Sequence, residues 1–450
     1  MCEKGLSGLQ GSEEKLGKLV IHVKRDHSTW RILLICLLAS VSSLASGRAD
    51  PFHYNDTLIG GRASGMGGAY RAISDDPSGC FYNPAGIALS FEKSLSGSAN
   101  VFRVTDLTFK NLFGGEVDWK KTSQTYNGNF IGYLNPLGKG KLGFSIVIPS
   151  SDLEKQDVEL RALSVSAGLV DRYKLNRSVS DTTYLIGPSY GIELNSFVSV
   201  GATLYLHYRA LEESQNELIF FNDSTYESNN NQNSLQEWGI HPVLGVIVSP
   251  GAKFSIGLTY ARTRIVDSRK KGQIFQRRFQ ASSILWTDDC SGGTDDQCFI
   301  RLPEVTEKRK TPDQISLSLA YFPNRVFLVS ADYIYHSGVS DKNFGDRKSS
   351  GDVALGIEYY FTRSLVMRSG LYTNGANTKK VETGKLNQDP HVNMYGWTLS
   401  FSHIGRTRSI SFGGNYATGN GKGQGLGGSS QIQDVRMRTY SFFMSGEFHL

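Results

Sequence analysis

Long apolar runs are scarce in this sequence of 450 residues. The one strongly apolar segment, from Ile32 to Leu44, is shorter than the roughly 20 residues that a membrane-spanning helix requires, which excludes a helical membrane protein. The segment follows three basic residues and leads into small ones, the pattern of a secretory signal. The basic residues are Lys24, Arg25 and Arg31.

We therefore predict that residues 1–49 form a signal peptide, cleaved near Ala45 or Ala49. The region before the apolar segment is longer than usual. A signal of ordinary length begins at Val23, which makes residues 1–22 a candidate for sequence that precedes the true start.

Neither basic nor acidic side chains are in large excess. Removal of residues 1–49 leaves 41 basic and 38 acidic side chains, a net charge of +3. This balance argues against a nucleic-acid partner.

Cysteines are few. Of the five, two leave with the signal peptide and Cys80 has no neighbour in sequence. Cys290 and Cys298 flank a polar segment of an exported chain, so we predict a loop disulfide between them and regard a metal site as the weaker alternative. The histidines are scattered without metal-ligand spacing, and no metal or other cofactor is expected.

Glycine and aromatic residues are plentiful: 49 Gly, 21 Tyr and 24 Phe favour strands and turns. Short segments alternate apolar with small or polar residues, as in 252–262, 313–322 and 351–361. Fourteen such strands are predicted: 94–104, 124–134, 141–149, 182–194, 197–209, 238–248, 252–262, 313–322, 325–336, 351–361, 364–372, 391–402, 408–416 and 437–449.

The predicted connections alternate between tight turns and long polar loops. The loops are 105–123, 150–181, 210–237, 263–312, 337–350, 373–390 and 417–436. Long loops at one end and short turns at the other are typical of an outer-membrane β-barrel. We therefore predict an all-β fold, a fourteen-stranded antiparallel transmembrane β-barrel over residues 94–450, with a soluble β-sandwich as the alternative.

Residues 50–93 precede the first strand and are rich in glycine and alanine. A barrel of this size has a lumen too wide for its wall side chains to fill. Asp76-Pro77 and Asn83-Pro84 are typical helix starts, and the glycines allow the backbone to lie close to a wall. We predict that this segment is an N-terminal lumen plug, which we call the hatch.

At these residues the chain resembles the FadL/TodX-like family of outer-membrane long-chain fatty acid and hydrocarbon transport proteins. The similarity extends to 311–321, 331–335, 354–370 and 411–416, and the hatch is its most specific part. The hatch motif residues are Gly61, Arg62, Gly65, Gly67, Gly68, Asp75, Asp76, Asn83, Pro84 and Ala85.

The resemblance implies passive transport of a hydrophobic small molecule such as a long-chain fatty acid, which is captured outside, held in the lumen and released through a lateral gap in the wall. It implies a monomer surrounded by outer-membrane lipid and lipopolysaccharide. Residues 65–70 also resemble related barrels that assist secretion or surface assembly, which is the alternative function. A non-specific porin is a third.

Two long loops are unusually apolar for exposed segments and are candidates for a ligand-capture groove. The alternative is that their apolar residues pack within the loops and that their arginines face lipopolysaccharide phosphates. A short amphipathic helix is predicted near Leu160, Leu163, Val165 and Leu169. The predicted ligand-binding residues are Phe109, Phe113 and Trp119 in the first loop, and Phe275, Arg277, Arg278 and Phe279 in the fourth.

Alternation places four charged residues on the lumen face, where they could pair with Arg62 or Arg71 of the hatch. These are Asp332, Asp352, Glu358 and Arg368. Gly143 and Pro149 of the third strand are candidates for a lateral opening, although ordinary strand-end usage explains them equally well.

No enzyme is predicted. The segment 187–191 fits the pattern G-x-S-x-G, but strand pattern continues on both sides of it, whereas a nucleophile elbow needs a strand, a turn and a helix.

Overall fold

The computed structural model describes residues 52–55, 57–90, 93–112, 118–161, 170–222, 226–279, 297–342, 344–386, 388–425 and 431–450. The predicted signal peptide lies outside these residues. No helix in the described part of the chain is long and apolar enough to cross a membrane.

Strands account for most of the chain. They are β1 (Ser94–Phe109), β2 (Trp119–Leu137), β3 (Gly140–Arg161), β4 (Val170–Asn195), β5 (Val198–Phe221), β6 (Tyr226–Gly251), β7 (Phe254–Arg262), β8 (Arg264–Phe279), β9 (Gln297–Val305), β10 (Asp313–Asn324), β11 (Phe327–His336), β12 (Ser350–Tyr360), β13 (Leu365–Asn374), β14 (His391–Ile404), β15 (Arg408–Gly423) and β16 (Gln433–His449). The hatch contains helices α1 (Gly61–Gly65) and α2 (Gly79–Tyr82) and a 3₁₀ helix (Gly86–Leu89).

The strands form one closed antiparallel sheet. Closure follows because β1 pairs with both β2 and β16, and β5 pairs with β6. Strands β7 and β8 both pair with β6, β7 along its second half and β8 along its first half. On their other side, β10 pairs with β7 and β9 pairs with β8. Counted around the wall, this is a 14-stranded barrel, as predicted.

The outer face of the wall carries an apolar band. Side chains alternate between buried and exposed along each strand, and the exposed set is mainly aliphatic and aromatic. Such a band is what lipid requires of a barrel, whose closed hydrogen bonding leaves no free strand edge. Members include Ile131, Phe144, Leu204, Leu244, Leu258, Leu317, Leu355, Leu371, Trp397, Phe412 and Phe442.

The two ends of the barrel differ. Tight turns join the strands at one end, which we call the turn end, and the longer connections lie at the other, the loop end. Aromatic side chains mark the loop-end edge of the apolar band, as in many membrane barrels. This aromatic rim comprises Tyr126, Tyr184, Tyr208, Trp238, Tyr416 and Tyr440.

The predicted long loops 105–123, 150–181, 210–237, 263–312 and 417–436 are wrong over most of their described length, which is strand. Strands β3 to β6 continue far beyond the aromatic rim, and β8 and β9 add to this extension. Their alternation escaped the sequence pattern because the buried face mixes charged with apolar residues while the exposed face is polar. Of the predicted amphipathic helix, Leu160 lies on β3 and the other three residues lie outside the described part.

Candidate functional site

The hatch occupies the turn-end half of the lumen, and Arg62 of α1 ties it to the wall. Arg62 donates from Nε and Nη2 to the two oxygens of Glu358 at 2.8 and 2.9 Å, and from Nη1 to Asp75 at 2.6 Å. Arg368 donates to the same Glu358 carboxylate at 2.5 Å. Because Glu358 is only 1% exposed, its charge depends on these partners. The predicted lumen position of Glu358 and Arg368 is confirmed.

A second wall carboxylate holds the middle of the hatch. Oδ2 of Asp332 accepts the backbone N–H groups of Tyr70 and Arg71, both at 3.1 Å, and Nη1 of Arg71 at 3.3 Å. Asp352 accepts a hydrogen bond from Asn55 at 3.0 Å. The predicted pairing of lumen carboxylates with the hatch is therefore confirmed for Asp332 and Glu358.

The two Asx-Pro steps of the hatch make local turns. Asp76 accepts the backbone N–H of Ser78 at 2.7 Å, and Asn83 accepts that of Ala85 at 3.1 Å. The short helices that follow begin at Gly79 and Gly86.

Small wall residues let the hatch backbone approach closely. Gly67 adopts φ of 65°, a left-handed conformation that favours glycine, and a Cβ atom on it would lie 3.2 Å from Cα of Gly370. Gly245 of β6 has no side chain, and the Asn83 side chain packs against it. Asn83 also donates a hydrogen bond to the backbone carbonyl of Val246 at 3.3 Å. The motif glycines therefore allow close packing between hatch and wall.

An apolar cluster fills the loop-end half of the lumen. Seven wall strands and the start of the hatch contribute to it, and its aromatic rings include the stacked pair Phe109 and Trp119, with centroids 5.6 Å apart. We call it the upper-lumen cluster. It comprises Phe52, Leu107, Phe109, Leu112, Trp119, Tyr173, Leu175, Ile219, Phe221, Val392, Met394, Ala417, Val435 and Met437.

On the side of β3 to β6, buried ion pairs lie between this cluster and the short helices of the hatch. Arg177 of β4 donates to Glu154 of β3 and Glu213 of β5, each at 2.7 Å. Nearer the hatch, Arg209 binds both oxygens of Asp181 at 2.9 Å. Since almost all of these charges are matched within the wall, this layer is poorly suited to an apolar ligand.

Lys121 of β2 lies between the two layers and was missed from the sequence, because it falls in the predicted loop 105–123. Its Nζ stands 4.6 Å from the Trp119 ring centroid, and it makes no ion pair with a carboxylate in the described structure. Burial, and then the nearby Arg177, lowers the pKa of Lys121 to about 8, against the opposing effect of Glu154 and Glu213. Lys121 is thus a lumen cation without a carboxylate partner at the base of an apolar cluster.

Glu217 borders the upper-lumen cluster near Tyr173. It accepts hydrogen bonds from the Tyr173 hydroxyl at 3.0 Å and from Gln215 at 2.6 Å, while its Oε2 has no partner. Burial raises the pKa of Glu217 to about 7. A fraction of this carboxyl group is therefore uncharged near neutral pH.

The hydrogen-bond ladder between β2 and β3 has a break. Ser123 pairs with Glu154 and Phe130 pairs with Val147, but no residues between these pairs are matched. Two side-chain hydrogen bonds cross the break: Ser123 donates to the carbonyl of Leu153 at 3.1 Å, and Thr125 to that of Ser151 at 3.2 Å.

The β3–β4 ladder shifts register within this break, between Val147 and Ser150, so the predicted candidate Pro149 lies at an irregular part of the wall. Gly143 does not, since it pairs regularly with Leu134 and Ser189.

The predicted ligand-binding residues do not form one site. Phe109 and Trp119 are buried in the upper-lumen cluster, whereas Phe275 is exposed on β8 and outside that cluster. Phe113 lies outside the described residues, and the side chains of Arg277, Arg278 and Phe279 do as well, although their backbone pairs with β6. The sequence missed Tyr173, Leu175 and Ile219, which lie in strand extensions that it assigned to loops.

The predicted disulfide stays a prediction, because Cys290 and the Cys298 side chain lie outside the described residues. Cys80 is a buried free cysteine of α2. Ser189, the central residue of the G-x-S-x-G match, lies within β4 and accepts a hydrogen bond from Thr203 at 2.7 Å. Its strand setting is not that of a nucleophile elbow.

Solved structures with the same fold include proteins named as a FadL homologue and as toluene transporters. A Pseudomonas aeruginosa FadL homologue is 14% identical, with 88% of this chain and 99% of that chain covered at a TM-score of 0.62. The Pseudomonas putida toluene transporter TodX is 12% identical, with coverage of 88% and 99% and a TM-score of 0.60. The Ralstonia pickettii toluene transporter TbuX is 14% identical, with coverage of 87% and 98% and a TM-score of 0.55.

No protein-family model matches the sequence, and no curated protein matches it. At these identities the similarity establishes the fold: a hatch-containing barrel of the FadL and TodX type.

Proposed function

We propose that this protein passively transports hydrophobic compounds across the outer membrane, with long-chain fatty acids as the first candidates. The observation that carries this proposal is the upper-lumen cluster with the unpaired amine of Lys121 at its base. An aliphatic tail would insert among the cluster side chains, and a carboxylate would accept hydrogen bonds from Lys121.

The upper-lumen cluster suits the aliphatic tail of a fatty acid, and the amine of Lys121 suits its carboxylate. Burial of each methylene group contributes about 0.8 kcal/mol, so a long tail gains most of its binding energy from the cluster. A charge-assisted hydrogen bond adds about 1.5–3 kcal/mol. Arg177 and Arg209 are weaker head-group candidates, because carboxylates of the wall already bind them.

A lateral exit explains how a ligand could leave a lumen that the hatch fills. Arg62, Glu358 and Asp332 hold the hatch in place, and glycine contacts leave little space beside it. Two side-chain hydrogen bonds cross the break between β2 and β3, whereas the regular stretch of the same ladder from Phe130 to Leu137 is matched residue by residue, so the break is easier to open than that stretch. Release through this break would deliver the compound directly into the membrane.

The test is oleate uptake in a strain that lacks its own fatty acid transporter. Replacement of Lys121 by Met keeps an apolar stem of similar length but removes the cation. We expect oleate affinity to fall about tenfold to a hundredfold. The matched control is Lys155→Met on the exposed outer face of β3, which should transport normally.

The variant also separates ligand classes. Uptake of an uncharged compound such as toluene should be unchanged by Lys121→Met. If oleate uptake by correctly inserted Lys121→Met equals that of the parent protein, the carboxylate assignment is wrong. If neither oleate nor toluene is taken up by the parent protein, the transport proposal itself fails.

A role as a secretion or surface-assembly partner is the second candidate. It is favoured by the extension of β3 to β6 beyond the aromatic rim, whose polar outer face offers a broad surface for another protein. Co-purification of one defined exported protein with the barrel, together with absent oleate uptake, would establish it. A non-specific porin is disfavoured, because an open bore is incompatible with the buried hatch.

A further inference from the structure

A group of basic side chains stands on the outer wall immediately beyond the aromatic rim. Along β16 the outward residues change from Phe442 and Tyr440 to Arg438 and Arg436. Strands β15 and β2 add lysines on the same face, and Lys110 directly follows β1. We call this group the basic patch: Lys110, Lys120, Lys422, Arg436 and Arg438.

The strand register brings these side chains together. Arg438 lies opposite Asp106 on β1, and Arg436 lies opposite Thr108. Thr108 in turn lies opposite Lys120 on β2. Directly opposite residues of antiparallel strands point to the same face, about 5 Å apart, so the patch is continuous across four strands.

Two of the five cations are neutralised within the patch. Lys120 lies 3.0 Å from Asp106, which also accepts a hydrogen bond from Thr122 at 2.7 Å. Lys422 lies 3.3 Å from Asp434. These pairs are largely exposed and contribute little to stability.

The other three cations lack a carboxylate partner. In the described part of the chain, neither Lys110 nor Arg436 nor Arg438 forms an ion pair, although Asp106 lies directly opposite Arg438. Nε of Arg438 is moreover buried without any hydrogen-bond partner. A buried donor that is left without a partner costs free energy, which an external acceptor would recover.

Cavities lie between these side chains. One of about 380 Å³ is lined by Lys110, Asn420, Asp434 and Arg436, and an adjoining one of about 280 Å³ by Asp106, Asp118, Lys120 and Arg438, with Lys110 and Arg436 shared. Each cavity has room for a phosphate group beside at least one unpaired cation.

The position of the patch identifies its ligand. A strand rises about 3.3 Å per residue and is tilted by about 35–45° in a membrane barrel, so Arg438 and Arg436 lie roughly 5 and 10 Å beyond Tyr440 along the membrane normal. The polar headgroup layer on each side of a bilayer is about 5–8 Å thick. Arg438 therefore lies within the headgroup layer and Arg436 at its outer edge, where arginine donates bidentate hydrogen bonds to lipid phosphates.

We infer that the basic patch binds the phosphorylated headgroup of a glycolipid in the outer leaflet. Three unpaired cations in two adjoining cavities suit a headgroup with two phosphates better than one with a single phosphate. This inference rests on the membrane location of the barrel but not on its transport activity.

The test uses the full-length mature protein in detergent and measures retention of bisphosphorylated lipid A by native mass spectrometry. The variant is Arg436→Gln with Arg438→Gln, and we expect its affinity for lipid A to fall at least tenfold. The control is Arg363→Gln with Arg406→Gln, which removes two exposed cations at the turn end and should bind as the parent protein does. Monophosphorylated lipid A should bind more weakly than the bisphosphorylated form.

Folding of each variant is verified by heat-dependent gel mobility, and Arg436→Gln alone serves if the double variant fails to fold. Equal lipid A affinity in the folded variant and the parent contradicts the inference, as does an equal loss in the control. Complete displacement of lipid A by millimolar inorganic phosphate would mean that free phosphate is the ligand. Binding of dextran sulfate in the absence of lipid A binding would mean a polysaccharide site, and this also contradicts the inference.

Discussion

Lys121 owes its properties to two different layers of the lumen. Trp119 and the upper-lumen cluster remove water from one side of the amine, while Arg177 adds a positive potential from the other. Both effects disfavour the charged form, and a bound carboxylate would reverse them.

This coupling predicts a pH dependence for fatty acid binding. The pKa of Lys121 in the unliganded protein is about 8, so the amine is charged at pH 7 and loses its proton as the pH rises through 8. A carboxylate favours the charged form, and the affinity for oleate should therefore fall between pH 7 and pH 9 rather than near the usual lysine pKa of about 10.4.

Calorimetric titration of the purified barrel with oleate at several pH values measures this effect. Oleyl alcohol, which has no carboxylate, is the control and should bind with little change over the same range. A pH dependence that persists in Lys121→Met would show that another group is responsible.

Glu358 is the residue at which the hatch is most vulnerable. It is 1% exposed and binds both Arg62 and Arg368. Glu358→Gln would leave two arginines without a full counter-charge, a loss of about 3–5 kcal/mol for a buried pair. We expect earlier proteolysis of the hatch and a lower unfolding temperature.

Limited proteolysis followed by calorimetry checks this prediction. The matched control is Glu382→Gln, whose partner Lys385 is exposed, with side-chain exposures of 63% for Lys385 and 58% for Glu382. The control should leave the unfolding temperature and the proteolysis of the hatch unchanged. Equal effects of the two substitutions would show that the pairing of Glu358 does not hold the hatch.

At the scale of the element, the break between β2 and β3 can be closed chemically. Gln124 and Leu153 are exposed residues within the break, and continuation of the register on either side places them opposite each other. Cysteines at these two positions, joined by a short bifunctional thiol reagent and with the native Cys290 and Cys298 replaced by Ser, should stop oleate uptake but not oleate binding.

A cysteine pair at Ile131 and Ile146 is the control, since these residues pair across an intact part of the same ladder and both are exposed. Joining them should leave uptake unchanged. Normal uptake after the break itself has been joined would rule out this break as the exit.

The strands also show where sequence patterns succeed and fail. All fourteen wall strands could be located from alternation, because lipid on one face and small residues on the other give a strong period-2 pattern. Beyond the aromatic rim the wall meets water outside and buried charges inside, as at Arg177 and Asp181, and the apolar pattern disappears. The loop assignments failed there, and with them the recognition of Lys121 and Tyr173.

At the scale of the whole molecule, the lumen has three layers. The hatch fills the turn end, matched ion pairs occupy the middle and the upper-lumen cluster fills the loop end. The hatch could be predicted from its sequence motif. The lumen carboxylates that bind it could be predicted from the alternation of side chains along the strands. Of the upper-lumen cluster only Phe109 and Trp119 were singled out from the sequence, since its members come from seven strands that are distant in sequence.

The central claim is that a hydrophobic ligand binds in the upper-lumen cluster with its carboxylate at Lys121. Photolabelling with a fatty acid that carries a diazirine at its tail end, followed by peptide mass spectrometry, tests it most directly. We expect labels on cluster residues away from Lys121, such as Leu112 and Phe221, and excess oleate should prevent this labelling. Labels confined to the outward apolar band, or labels that excess oleate does not reduce, would contradict it.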